Sequence, residues 1–227
     1  MNYKHNMNYF KSGDGLKFLG AALAIIGAFV FYFGWSYISY ILSCIAIPAG
    51  LFLFFWSTSR RSSDKDIEEA VEEMCSDVRI HWEEEKKLSS RRKKSFEPIV
   101  VRGYEYDEGS MLKKMKNGSL CSSRYTAAEI AVLEDALYIT TKSFSLIADE
   151  CEDRKTEIPF SEIRSIELLE EEKRLPYQKN FIRAIEHRLI ILYGEDKALS
   201  FPVNHDLNTE HFVEQLQKLL KKENPSL

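Results

Sequence analysis

FLGAALAIIGAFVFYFGWSYISYILSCIAIPAGLFLFFWSTS, residues Phe18 to Ser59, contains no Asp, Glu, Lys, Arg or His. A bilayer core about 30 Å thick takes roughly 20 apolar residues as helix. A single helix over this run of about 42 residues would be a rod of roughly 60 Å, so two spans fit better than one. The break falls at Gly34-Trp35-Ser36-Tyr37. It divides Phe18–Phe33 from Ile38–Trp56 and places Tyr32, Trp35, Tyr37 and Tyr40 where an interfacial aromatic belt belongs. The expected structure is a transmembrane helical hairpin over residues 16–57.

Other uses of the run fit less well. A cleaved signal peptide needs a small-residue exit after its apolar core, whereas Phe29-Val30-Phe31-Tyr32-Phe33 is bulky and a second apolar run follows at once. A hairpin buried in a soluble protein needs a large apolar surround, and the rest of the chain is too charged to supply one. A re-entrant loop stays open as a reading because Pro48 lies inside the second segment, although membrane helices tolerate proline.

Charge on the flanks sets the orientation. Lys4, Lys11 and Lys17 precede the first span, Arg60, Arg61 and Lys65 follow the second, and the turn between them is uncharged. The expectation is an integral protein of the cell or plasma membrane with both termini in the cytoplasm. Asn117-Gly118-Ser119 then reads as an Asn-Gly turn and not as a glycosylation acceptor. Residues 1–15 read as a loose cytoplasmic tail. Within the spans Gly20, Ala24 and Gly27, and Ser43, Ala46 and Gly50, recur at about one-turn spacing. Small residues let helices approach closely, either within the hairpin or in a homo-oligomer.

The chain of 227 residues leaves room for one soluble domain beside the hairpin. A formal charge of -4 argues against nucleic acid as a partner. Cys44, Cys75, Cys121 and Cys151 are scattered, form no CxxC pair and read as free thiols in a reducing compartment.

Residues 58–95 read as an amphipathic juxtamembrane helix and linker. Ser62-Ser63-Asp64 is a helix start, and Ile67, Val71, Met74 and Val78, then His81 or Trp82, follow at steps of three and four. The opposite face carries Glu68, Glu69, Glu72, Glu73 and Asp77 and ends in Glu83-Glu84-Glu85-Lys86-Lys87. Arg91, Arg92, Lys93 and Lys94 complete a basic cluster that could meet anionic lipid. If the helix stands upright the cluster is roughly 35 to 45 Å from the membrane, several times the Debye length of about 8 Å. It then serves as a solvated linker end.

Strand signals dominate from residue 96 to 222. Ile99-Val100-Val101 with Tyr104 and Tyr106 begins them, and Ser110–Asn117 reads as a polar excursion with helical character. Strand-like alternation resumes near Tyr125, and further runs cover 130–133, 137–140, 144–147, 156–160, 163–169, 181–193 and 199–203, separated by turn residues. Asn208 is the expected cap of a final helix carrying Phe212, Val213, Leu216, Leu219 and Leu220, stopped by Pro225. The fold class is α+β, with the hairpin and linker helix followed by an antiparallel β-barrel or sandwich closed by one C-terminal helix.

Val132-Leu133-Glu134-Asp135-Ala136-Leu137-Tyr138-Ile139, then Ile158-Pro159-Phe160-Ser161-Glu162-Ile163-Arg164-Ser165-Ile166, a strand pair and the helix at Phe212–Leu220 resemble the pleckstrin-homology and GRAM superfamily, especially its bacterial membrane-tethered members. The resemblance covers roughly Glu97 to Lys222. It implies seven strands in two bent sheets closed by a C-terminal helix, acting as a platform for lipid headgroups or proteins. It also implies that Lys113, Lys114 and Lys116 occupy the region where phosphoinositide-binding members concentrate basic residues. Glu134 and Ala136 stand where many GRAM-like sequences have Thr and Arg.

There is no Gly-rich phosphate loop, GxSxG, HExxH or acidic calcium loop. Ser-x-x-Lys matches at Ser62, Ser90 and Ser110 fall in unsuitable contexts, and His187, His205, Asp206 and His211 lack metal-ligand spacing. The expectation is a non-enzymatic membrane protein without cofactor or metal, presenting a binding and scaffolding module to a protein partner. The candidate anionic-ligand contacts are Lys113, Lys114, Lys116, Arg91, Arg92, Lys93 and Lys94. The alternative is an oligomeric pore- or transporter-associated assembly in which the soluble domain is a cap or sensor.

Overall fold

Two helices take up the uncharged run. In the computed structural model, which describes residues 1–11, 15–34, 36–79, 86–178, 180–204 and 207–223, α2 covers Gly15–Phe33 and α3 covers Tyr37–Ser59. Both are long and apolar enough to cross a membrane, and only 11% of each apolar window is buried. That low burial is the opposite of a soluble core helix. Ser36 caps α3, its side chain accepting from the Ile38 N–H at 3.3 Å. The helix continues through Pro48 without interruption. Trp35 lies outside the described residues.

The small residues seat α2 against α3. Gly20, Gly27, Ser43 and Gly50 are buried while the bulky side chains around them are exposed. A Cβ on Gly20 would lie 2.7 Å from the Gly50 carbonyl oxygen, and one on Gly50 would lie 2.5 Å from the Ala24 nitrogen. Backbone approach this close excludes any side chain at either position.

The expected loose tail is instead a helix, α1, Tyr3–Phe10. The Tyr9 hydroxyl donates to Asp64 at 2.7 Å and the Asn8 amide donates to the Arg60 carbonyl at 3.0 Å. These polar contacts, with Tyr9 and Phe10 buried, fix a segment whose composition alone suggested disorder. They belong to a compact unit, Asn2–Ile67, distinct from a second, Glu68–Leu227. Helix α4, Asp64–Cys75, begins in a reciprocal cap: the Asp66 N–H donates to Ser63 Oγ at 3.2 Å and the Ser63 N–H donates to the Asp66 carboxylate at 2.6 Å. His81, Trp82 and Glu83–Glu85 lie outside the described residues.

The second unit is built on two antiparallel sheets. One has the order β1-β4-β5-β6, from Ile99–Tyr104, Arg124–Val132, Ala136–Ser145 and Cys151–Pro159. The other is β7-β8-β9, from Ile163–Tyr177, Asn180–Tyr193 and Lys197–Pro202. Between β1 and β4 the chain makes a hairpin of β2, Leu112–Lys114, and β3, Leu120–Ser122. This corrects the helical reading of Ser110–Asn117: the turn at Met115–Ser119, with Gly118 at φ +90°, joins strands on both sides. The expected runs 137–140 and 144–147 are one strand, β5, because Thr141–Ser143 pair with Glu152–Arg154 as fully as their neighbours do.

Strand β4 is buried on both faces. Ala128, Ile130 and Val132 join Leu189, Ile191, Phe201 and Leu216 in the core between the sheets and α6, Leu207–Glu223. On the other face, Ala131 meets Leu88 of α5, Lys86–Arg91, and Val78 is buried in a short turn of helix that packs on β4 and β5. Strand β6 is the charged, exposed edge, a composition that discourages further pairing. Asn208 lies inside α6, so the expected cap position is displaced, and Pro225 lies outside the described residues. The barrel half of the expectation is not met, since the two sheets stay separate and no closed barrel forms among the described residues.

Candidate functional site

Where β9 ends, its continuation lies between the two sheets. The Val203 N–H donates to the His187 carbonyl of β8 at 2.8 Å, and the Asn204 N–H donates to the Arg102 carbonyl of β1 at 3.1 Å. Two strand spacings of about 4.8 Å therefore separate β8 from β1 at this level. Close contact continues at Gly103, where a Cβ would meet Pro202 at 3.0 Å. Past Asn204 the same interval opens into a cleft of about 830 Å³. Tyr104 and Tyr106 line one wall, Ile182–His187 the other, and the tip of the β2–β3 hairpin, Lys114 to Leu120, covers part of it.

Ladder alternation fixes what each wall presents. The His187–Val203 bond shows that odd-numbered residues of β8 turn their backbone groups toward β9 and even-numbered ones toward β7. Pro202, which has no N–H, sits opposite Arg188 at a position where none is needed. On β1 the Glu105 N–H donates to the Arg124 carbonyl at 3.0 Å, so odd residues serve β4 and even ones face the cleft. Among the described residues the backbones of Arg183 and Ile185 on β8, and of Tyr104 on β1, have no partner on the cleft side. They are two open strand edges facing one slot.

A charge network centred on the buried Glu186 holds β8 beside this slot. Arg188 donates to Glu105 at 2.9 Å, to Glu186 at 2.7 Å and to Ser200 Oγ at 2.7 Å. Lys173 stands 2.6 Å from the second Glu186 oxygen, whose side chain is only 2% exposed. Burial pushes the Glu105 carboxyl above the ordinary range despite the Arg188 charge beside it. Burial alone would lower the Arg188 value, but Glu105 and Glu186 more than offset it and the guanidinium ends higher. Burial likewise pushes the Tyr106 phenol up to about 12 and raises Tyr104 and Tyr125, so the cleft's phenols are neutral at physiological pH. The Tyr106 hydroxyl donates to the Leu120 carbonyl at 2.8 Å, and the Lys114 N–H donates to the Tyr177 hydroxyl at 3.3 Å. Both bonds tie the hairpin over the cleft.

The candidate basic residues fall into two groups at opposite ends of β4, roughly 27 Å apart at about 3.3 Å per residue. Lys113, Lys114 and Lys116 are in the β2–β3 hairpin; Lys114 and Lys116 are exposed, and the Lys113 carbonyl accepts from Cys121 Sγ at 3.2 Å. Only Lys114 of the seven lines the cleft. Arg91 instead pairs with Asp135 at 2.7 Å and Glu157 at 2.8 Å, partners that hold its guanidinium value up. Arg92 bridges to Leu133, and the Lys93 N–H donates to the Val132 carbonyl at 3.0 Å. Lys94 is exposed. The second group is thus fastened to the end of the sheet by Arg91, Arg92 and Lys93 and is not a solvated linker end.

His187 lies 4.0 Å from Glu170, and His211 contacts Gln215 at 2.7 Å; His205 and Asp206 lie outside the described residues. Among the described residues no group of three or more His, Cys, Asp or Glu could hold a metal ion. All four cysteines are free thiols. The sequence pattern does not single out Glu186 and Arg188, although two charges at i and i+2 in a strand must share a face. The unpaired edges left no sequence signal, because they depend on where β9 stops. Searches of protein-family models, of curated proteins and of solved structures give no match to this chain.

Proposed function

We propose that the chain is an integral membrane protein whose unit Asn2–Ile67 crosses the bilayer twice and whose unit Glu68–Leu227 is a cytoplasmic binding and scaffolding module of pleckstrin-homology type, working by recruitment and not by catalysis. The observation that carries this is the pairing of two long, unburied apolar helices with a sheet unit ordered as four strands, three strands and a terminal helix. Within that order β2 and β3 are an insertion into the first connection. A protein partner suits the module better than an anionic lipid: the seven candidate cations are divided between opposite ends of β4, and Arg91 is already neutralised by two carboxylates. The oligomeric alternative loses its main support, since Gly20, Gly27, Ser43 and Gly50 are buried within the hairpin itself.

The test is extraction of the full chain from native membranes, with a reporter fused after Leu227. Resistance to alkaline carbonate, release by detergent and a reporter active only in the cytoplasm are expected. Release by carbonate, or a reporter active outside the cell, overturns the reading.

A further inference from the structure

We propose that the slot between β1 and β8 takes an extended segment of a partner protein as an added strand, continuing the track of β9. The inference rests on the binding-module reading above and names its partner class. Val203 and Asn204 already make the first rung of such a strand, one bonding β8 and the other β1. Arg183, Ile185 and Tyr104 present the next N–H and C=O groups on the same two edges. Open edges of this kind are templates for strand addition, in which main-chain bonds give affinity and alternate side chains give specificity. Here the template has two sides, so a guest's backbone is satisfied on both edges.

The lining gives the guest's chemistry. Glu68, Glu72 and Glu186 are offset by Arg102, Lys114 and Arg183, and Arg102 pairs with Glu72 at 2.7 Å. With the tyrosines neutral, such a wall offers no net field to a highly charged ligand. Tyr104, Tyr125, Ile182 and Ile185 add apolar surface. The guest is therefore an uncharged β-forming stretch. From Ile182 to Glu186 is four steps, so about 13 Å of edge admits roughly four to five residues. The segment runs antiparallel to β8, as β9 does.

The probe is an acetylated, amidated Thr-Val-Thr-Val-Thr-Val-Thr peptide, offered to the full chain in detergent micelles while backbone amide exchange is followed by NMR. Exchange at Arg183, Ile185 and Tyr104 is expected to slow on addition of peptide. The same peptide N-methylated at alternate residues should leave it unchanged. Ile185→Pro removes an N–H that faces the slot and spares the β7 ladder, so it should keep the melting temperature within a few degrees and weaken peptide binding about tenfold, the equivalent of one hydrogen bond. Ala184→Pro, whose N–H faces β7, should destabilise the fold. No slowing at the three amides up to about 1 mM peptide, the weak limit of useful recognition, overturns the proposal. So does equal binding of the N-methylated peptide, or slowing produced by phosphatidylserine vesicles in place of peptide. Carbonate release of the chain would defeat the anchoring reading without altering these exchange rates, so the two can fail separately.

Discussion

Ser63 and Asp66 show how much a single pair can set. Each bonds the other's backbone N–H, and those bonds, the backbone one first, hold the Asp66 carboxyl below the ordinary range. A lowered carboxylate favours folding above its unfolded value and loses that contribution as pH falls through the folded one. Ser63→Ala is expected to cost about 1 kcal/mol of helix stability and to return the Asp66 titration toward its ordinary range, read by carboxyl-carbon NMR. Glu105 has the opposite sign. Its raised value adds stability below the ordinary carboxyl range, and that gain is lost as pH rises through the folded value. Thermal unfolding of Glu105→Gln should therefore depend less on pH than that of the parent across that window. Glu186, closed in by Arg188 and Lys173, carries more weight. Glu186→Gln removes the charge that two half-buried cations share, and about 1–3 kcal/mol of stability should be lost in urea unfolding. The Ser63 cap was legible because it is local; Glu186 was not, since its partners come from 13 residues earlier on β7 and from a neighbour on its own strand.

At the scale of elements, legibility follows the range of the interaction that makes them. The hairpin could be placed from sequence because an uncharged run of this length has few uses, and α2 and α3 end within a few residues of the expected limits. Both arms of the long β7–β8 ribbon are visible in the sequence, yet β7 runs past its expected end at Leu169: Glu170–Lys173 is charged, and only pairing with Ala184–His187 makes it strand. The β2–β3 hairpin is hidden for the same reason, lysine-rich β2 being held by contacts with Tyr177 and Cys121 that no periodicity records. The small-residue stripes pack the two arms of the hairpin against each other. Since a Cβ at Gly50 would overlap the backbone of α2, Gly50→Val should part the helices and lower the hairpin's melting temperature in detergent, a loss of about 1–3 kcal/mol. Gly15, with open space around its Cβ position, should accept Ala unchanged.

For the whole molecule the two units differ in surface, one carrying two apolar helices long enough to cross a membrane and the other exposing charge, and the proposed membrane anchoring accounts for both. The proposed orientation rests on Lys4, Lys11 and Lys17 before the two apolar helices and Arg60, Arg61 and Lys65 after them, because cations flanking a span are retained on the cytoplasmic side. The cysteines supply a natural probe of it. Cys75 and Cys121 are buried, Cys44 lies in α3, and Cys151 is exposed at the start of β6. Some burial and the Asp153 carboxylate raise the Cys151 thiol above its ordinary value, so labelling calls for mildly alkaline medium. A membrane-impermeant maleimide should leave Cys151 unmodified in intact cells and modify it once they are opened, with Cys151→Ser abolishing the signal. Replacing Arg60, Arg61 and Lys65 by Gln while changing Ser36 and Ser39 to Lys moves the positive charge to the turn, and the same reagent should then reach Cys151 in intact cells. Labelling of the parent chain in intact cells would place the soluble unit outside and remove the cytoplasmic module from consideration.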